Sequence, residues 1–280
     1  MASARPAAAL LDAVVAASRQ RVATRRDRVP QAALERQAAR RPPAGAVFRE
    51  ALAPATGVAV IAECKRRSPS KGVLCRDYEP ARVARAYERG GAAAVSVLTE
   101  PTFFDGALDH LVAVRAAVGI PVLRKDFIVD DYQLWEAAAA GADAVLLIVA
   151  ALDRTVLAHL LASAASLGLA ALVEAHTADE IDRAVAAGAT IVGVNSRDLR
   201  TLTVDAGACD ALAGCIPPGT VAVAESGIAS VDGVRHLHGL GYQAVLIGEW
   251  LMHATDPASL LGEVRRATGR APGQQPGALP

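Results

Sequence analysis

Eight times between residues 57 and 241 a glycine leads into a short apolar run rich in β-branched residues. The glycines and their runs are Gly57 (VAVIAE), Gly91 (AAAVSV), Gly119 (IPVLRK), Gly141 (ADAVLL), Gly168 (LAALVE), Gly188 (ATIVGV), Gly219 (TVAVAE) and Gly241 (YQAVLI). Between the runs lie helical patterns with their own start signals: Asp130 with Gln133, Asp153, Thr177 with Glu180, and Asp256 followed by Pro257. Several of the glycines then act as helix C-caps, where a left-handed residue ends one element before the next begins. Strand alternating with helix, eight times, implies a parallel sheet with its crossover helices outside, and eight such units close into a (β/α)8 barrel of ~250 residues. A doubly wound open sheet is the competing architecture. It usually has fewer strands and a Gly-rich loop after the first, and no G-x-G-x-x-G stands here.

The pattern places a barrel over residues 51–268, an N-terminal helical extension over 1–50 and a disordered tail over 269–280. In the extension, Leu10, Leu11, Val14, Val15 and Val22 share one helical face, as a helix packed on a domain requires. Asp12 interrupts the apolar run, which argues against a targeting peptide. The longest apolar run, AVLLIVAAL, is well short of the ~18 residues of a membrane span. Lys plus Arg and Asp plus Glu balance at 29 each, so attraction for an anion must come from a local cluster and nothing overall favours nucleic acid. RQRVATRRDR lacks interleaved aromatics and reads as a solvated helix face. Cys64, Cys75, Cys209 and Cys215 form no C-x-x-C pair and no metal-ligand spacing, which suggests reduced thiols in a cytoplasmic protein and no metal. His236 and His238, two apart on a helix, read as surface residues.

The sixth residue after each leading glycine should stand near the carboxyl end of its strand. Four of the eight are charged: Glu63, Lys125, Glu174 and Glu225. Burying an unpaired charge costs several kcal/mol, while barrel active sites are built at this rim. Lys65 shares the face of Glu63 because strand side chains alternate. These groups either pair inside the barrel for stability alone or form a site, and placement at strand ends is what structural pairs do not need. For Glu225 the two readings weigh about equally. After the seventh and eighth strands, Ser226-Gly227 and Gly248-Glu249 can present backbone N–H groups where barrels usually hold phosphate. Asn195 and Arg197 follow the sixth strand and either serve the site or order the loop. Phe103, Phe104 and Phe127, in a chain with few aromatics, line an aryl pocket or pack in the core.

In order along the chain, IAECKRRSPSKG, SVLTEPTFFDG, VLRKDFIVDDYQ, ALVEAHT, VGVNSRDL, AESGI and LIGEWLM resemble the indole-3-glycerol phosphate synthase family, from about residue 45 to residue 253. The resemblance implies a (β/α)8 barrel with an N-terminal helical extension, acting as a carboxy-lyase of tryptophan biosynthesis. It implies a small phosphorylated substrate, 1-(2-carboxyphenylamino)-1-deoxyribulose 5-phosphate, closed to indole-3-glycerol phosphate with loss of carbon dioxide and water. It further implies no cofactor, no metal, no nucleic-acid or membrane partner, and a monomer or weak homodimer. Carried over by position, Lys125 is the acid of ring closure, Lys65 holds anionic groups of the substrate, and Glu63, Glu174 and Asn195 complete the catalytic set. Arg197, Ser68, Ser226, Gly227, Gly248 and Glu249 bind substrate, with Phe104, Phe127 and Glu225 as further contacts. One departure is Trp250, where the family usually carries a small residue; it is expected to turn outward.

The inventory suits that chemistry. Lys65 and Arg197 beside Lys125 should lower its pKa toward useful acidity. Dehydration needs a base, and Glu174 and Glu63 both qualify. Competing readings are a phosphate-sugar isomerase or an aldolase-like enzyme with Lys125 as a Schiff base, and a non-catalytic phospho-metabolite binder.

Overall fold

The glycine-led runs become eight strands: β1 (Ala59–Cys64), β2 (Ala94–Leu98), β3 (Val122–Lys125), β4 (Ala144–Ile148), β5 (Ala170–Ala175), β6 (Ile191–Asn195), β7 (Val221–Glu225) and β8 (Ala244–Ile247). Each pairs in parallel with its successor, and β8 pairs with β1, so the sheet closes. The computed structural model describes residues 8–199 and 201–269; the tail expected over 269–280 lies outside the described residues from position 270 onward. Seven of the eight leading glycines hold φ between 72° and 98°, Gly119 being the exception. Gly168 shows why: its N–H bonds to Ala165 and that of Leu169 to Ala164, the paired bonds of a left-handed helix stop. The expected caps form as well, with Asp130, Asp153, Thr177 and Asp256 each accepting from backbone N–H groups of the first turn.

Alternation along the strands divides the apolar residues into two cores. Val97, Leu147, Val194 and Ile247 face outward and pack with Tyr87, Leu111, Leu157 and Val234 of the surrounding helices. Ile61, Leu123, Leu146, Leu172, Val223 and Leu246 face inward. The sixth residue after each glycine therefore points out of the barrel on even strands and into it on odd ones. Alternate strands supply the layers of a barrel interior, and here the layer nearest the carboxyl rim comes from β1, β3, β5 and β7 as Glu63, Lys125, Glu174 and Glu225.

The N-terminal segment runs over the rim, down the side and under the floor. Helix α1 (Ala8–Arg28) buries Leu11, Val14, Val15 and Val22, and the first three join the interior cluster with Phe127 and Ile148. Its arginines do more than face solvent, which corrects the solvated-face reading. Arg21 pairs with fully buried Glu100 at 3.2 Å, Arg25 with Glu136 at 2.9 Å and Arg26 with Asp130 at 2.6 Å. Helix α2 (Gln31–Ala38) descends beside the helix Asp131–Ala140. Helix α3 (Gly45–Leu52) then closes the amino-terminal end against β1, β2 and β5, with Phe48 fully buried and the Gly45 N–H bonded to the Gly168 carbonyl at 2.9 Å. Among the described residues no helix is long and apolar enough to cross a membrane.

Candidate active site

At the carboxyl rim the strand-end charges open into a cavity of about 470 Å³. Glu63 and Lys65 form its first ion pair, Oε1 to Nζ at 2.6 Å, with Glu63 nearly inaccessible. Burial raises the Glu63 pKa, but Lys65 and, more remotely, Lys125 and Arg197 outweigh it and hold the carboxyl below its ordinary value. Lys125 reaches between two other carboxylates, 3.4 Å from Glu174 Oε2 and 3.5 Å from Glu225 Oε2. Burial pulls its pKa down, yet Glu174, Glu225 and Glu63 together raise it well above that of a free lysine. The expectation that Lys65 and Arg197 would lower it is thus corrected. Lys65 spends its charge on Glu63, and the Arg197 guanidinium donates to the Leu202 carbonyl at 3.0 Å, so carboxylates are the nearest charges to Lys125.

Glu225 behaves differently from Glu63. Burial pushes its pKa up to about 8, with Lys125 opposing the rise and Glu174 and Glu63 adding to it. Although Lys125 lies within ion-pair distance, neither Glu225 oxygen makes a hydrogen bond among the described residues. Burial thus works against ionisation of this carboxyl, while the Lys125 ammonium 3.5 Å away favours it. Room for these groups comes from the neighbouring strands. A Cβ on Gly193 of β6 would lie 2.1 Å from Glu225 Oε1, and one on Gly248 after β8 would lie 2.3 Å from Glu63 Oε1.

The remaining predicted residues line the same cavity. Asn195 Oδ1 accepts from the Arg197 N–H at 2.9 Å, shaping the exit of β6. Ser226 and Gly227 leave β7 with φ of 65° and 72°, and the left-handed serine is a strained choice that costs ~1 kcal/mol or more. Gly248 precedes a short helix, Glu249–His253, and Glu249 meets Lys71 at 3.6 Å across the mouth. Ser68 accepts from the Lys71 N–H at 3.2 Å in the turn between Arg67–Ser68 and Gly72–Val73. Phe104 and Phe127 line the wall with Leu98, Leu146 and Ile148, whereas Phe103 packs on the interior core. Trp250 is half-buried against the outer core and also forms part of the cavity wall, so it does not simply turn outward as expected.

Three features escaped the sequence. Lys71 reaches the mouth from a loop whose turn could not be foreseen. Asp126 touches the cavity but is tied to Arg124 at 2.9 Å and to the Thr99 hydroxyl at 2.6 Å, a buried brace for the β3 exit. His176, two residues beyond Glu174, stands behind that carboxylate at 3.6 Å, and its signal was the short spacing E-A-H. Among the described residues no group of three or more His, Cys, Asp or Glu side chains is arranged to hold a metal ion.

The sequence model of the family described as indole-3-glycerol phosphate synthase matches residues 11–264. A relative of that name from Mycolicibacterium vanbaalenii is 50% identical over 257 residues, covering 92% of this chain and 94% of the relative. Another, indole-3-glycerol phosphate synthase 2 from Streptomyces coelicolor, is 49% identical over 255 residues, covering 90% and 97%. Among solved structures, a 3-hexulose-6-phosphate synthase aligns with a TM-score of 0.61 at 18% identity, over 76% of this chain and all of that one. At that identity the likeness is one of fold.

Proposed function

Since the chain belongs to the indole-3-glycerol phosphate synthase family, we propose that the rim cavity is where it closes 1-(2-carboxyphenylamino)-1-deoxyribulose 5-phosphate to indole-3-glycerol phosphate, with loss of carbon dioxide and water. The observation that carries the assignment of roles is the contrast between the two lysines. Lys65 is bound to one carboxylate at 2.6 Å, while Lys125 is suspended between two at longer range.

Bond formation between the aryl carbon and the ketone leaves charge on the ketone oxygen, and a buried ammonium aimed there stabilises the transition state. Lys125 fills that role and passes a proton to the oxygen, with Glu174 and Glu225 beside it to restore its charge. Lys65, at the cavity wall, anchors the substrate carboxylate until it departs as carbon dioxide. The hydroxyl lost in dehydration is the former ketone oxygen, so Lys125 stands beside it through both steps. For the base, the geometry favours Glu174 over Glu63. Glu63 is tied into an ion pair at 2.6 Å that weakens it as a base, whereas the groups flanking Glu174 stand farther off, Lys125 at 3.4 Å and His176 at 3.6 Å, and its Oε1 makes no hydrogen bond among the described residues. The aryl ring lies on Phe104, Phe127 and Leu146, and the phosphate takes the N–H groups around Ser226-Gly227 and Gly248-Glu249, with Ser68 and Arg197 nearby.

A Schiff base on Lys125 is disfavoured, because a nucleophilic amine needs a lowered pKa and its carboxylate neighbours raise it. The test is incubation of the purified protein with the carboxyphenylamino substrate and a chelator. Appearance of indole fluorescence with release of carbon dioxide is expected. Activity that vanishes with chelator and returns with a divalent ion, or a borohydride-trapped adduct, would overturn the reading.

A further inference from the structure

His176 lies at the end of β5 with acceptors at both ring nitrogens. Nδ1 is 3.3 Å from Glu180 Oε2, and Nε2 is 3.0 Å from the Arg197 carbonyl and 3.6 Å from Glu174 Oε1. A neutral imidazole has one N–H and one bare nitrogen, and a bare nitrogen facing a carbonyl or carboxylate oxygen repels it. Only the doubly protonated ring satisfies every contact. The ring is held in place as well as satisfied, since the His176 N–H donates to the same Glu180 oxygen at 2.7 Å and Glu180 is locked by the Thr177 cap.

We propose that His176 is a positioning residue, an imidazolium at neutral pH that links Glu174 to the loop bearing Asn195 and Arg197. One oxygen of Glu174 faces Lys125 and the other faces this ring, so the carboxylate is fixed between two cations. The same ring nitrogen bonds the carbonyl of Arg197, whose N–H receives Asn195 Oδ1, so a rotation of the ring moves the base and the β6 loop together. This inference rests on Glu174 acting as the base.

The groups facing the ring are Glu174 on β5, Glu180 on the helix Ala178–Ala186 and the Arg197 carbonyl after β6; Glu225 lies behind Glu174, and Asp198 and Asp205 line the crevice outside. Among the described residues, α1 contributes only Leu11 to that crevice. Carboxylates dominate this set. Burial lowers the ring's pKa, but Glu180, Glu174 and the Arg197 carbonyl raise it above that of free histidine.

Ring 15N NMR of the ligand-free protein reads the state without turnover: both nitrogens should be protonated at pH 7.5, and a neutral ring there overturns the proposal. In Glu174→Gln, whether or not that variant turns over, the ring's deprotonation midpoint should fall by about half a unit or more, since a facing charge is lost. An unmoved midpoint denies the coupling, whereas normal turnover by Glu174→Gln denies the base assignment instead. His176→Gln, whose amide reaches the position of Nε2, keeps a donor for the carbonyl without the charge. It should lower kcat about tenfold with KM within about twofold, and lose the alkaline fall in kcat that tracks ring deprotonation in the wild type. Wild-type kcat and pH profile in that variant would leave the ring with no positioning role.

Discussion

Lys125 and Lys65 stand in one cavity and carry the same charge, yet their surroundings assign them different work. In the proposed roles, Lys65 neutralises Glu63 and faces a charge the substrate carries from the start, so Lys65→Met should raise KM. Lys125, as the proposed acid, acts as charge develops, and interactions made only in the transition state set kcat. Lys125→Met should lower kcat by ~10²-fold or more, the scale of a positioned acid, while KM changes far less. Steady-state kinetics of the two variants check this; equal losses in both constants would mean the cavity treats them as interchangeable cations. Glu225 offers a second contrast. Its folded pKa of about 8 lies above that of a free carboxyl, so the unfolded chain releases this proton first. The contribution of Glu225 is fully favourable below the free carboxylate value and is lost as pH rises toward about 8. Glu225→Gln, which mimics the neutral acid, should gain in Tm over the wild type from pH 5 to pH 8 by several degrees, the gain levelling off above. A constant difference in Tm across that range would mean the carboxyl is ionised in the folded state.

At the scale of elements, two of the charged strand ends depend on a glycine next door, Glu225 on Gly193 of β6 and Glu63 on Gly248 just after β8. Gly193 of β6 stands where Glu225 of β7 leans over, with Leu172 on the other side. Gly193→Ala must displace one of them, at a cost of ~1–3 kcal/mol for overpacking, and should lower kcat as Glu225 pushes on Lys125. Thermal melts and kinetics measured together distinguish the two effects; a variant with wild-type Tm and kcat would show that the barrel yields without strain. The loop after β7 carries a different constraint. Gly227 sits at φ 72°, beside the cavity, so Gly227→Asp adds backbone strain and an anion at the proposed phosphate position. KM should rise at least about tenfold through like-charge repulsion and a blocked N–H surface, with kcat less affected. An unchanged KM would move the phosphate elsewhere.

At the scale of the whole molecule, the N-terminal segment binds both ends of the barrel and keeps stability apart from chemistry. α3 seals the floor with Phe48, while the charges gather at the opposite rim. Phe48→Ala should cost ~3–5 kcal/mol, the range for a buried phenylalanine, and lower Tm sharply. Activity per folded molecule at low temperature should stay near that of the wild type, since Phe48 is not among the residues that line the cavity. A large loss of kcat at full folding would show that floor and rim are coupled. α1 is fastened differently. Its arginines reach acids on the β2 and β3 exits, and the Tyr132 hydroxyl donates to the Arg25 and Val29 carbonyls at 3.1 and 2.8 Å.

The eightfold glycine-led pattern determined the closed barrel by itself, because helix stops and strand periodicity are local properties and eight units leave few other ways to bury both sheet faces. Charges at the sixth position determined which rim holds the charged cavity, since an ionised group inside an apolar run is tolerated only where it finds partners. Pairing was another matter. That Lys125 meets Glu174 and Glu225 while Lys65 takes Glu63 follows from which strands face inward at one layer. The sign of the Lys125 shift followed from that, reversing the expectation drawn from the cations Lys65 and Arg197 at the same rim. His176 behind Glu174, the arginines of α1 on buried acids and the glycines beneath the glutamates are likewise relations between elements far apart in the chain. Charge interactions depend on distance and on burial, so only the packed barrel could decide them.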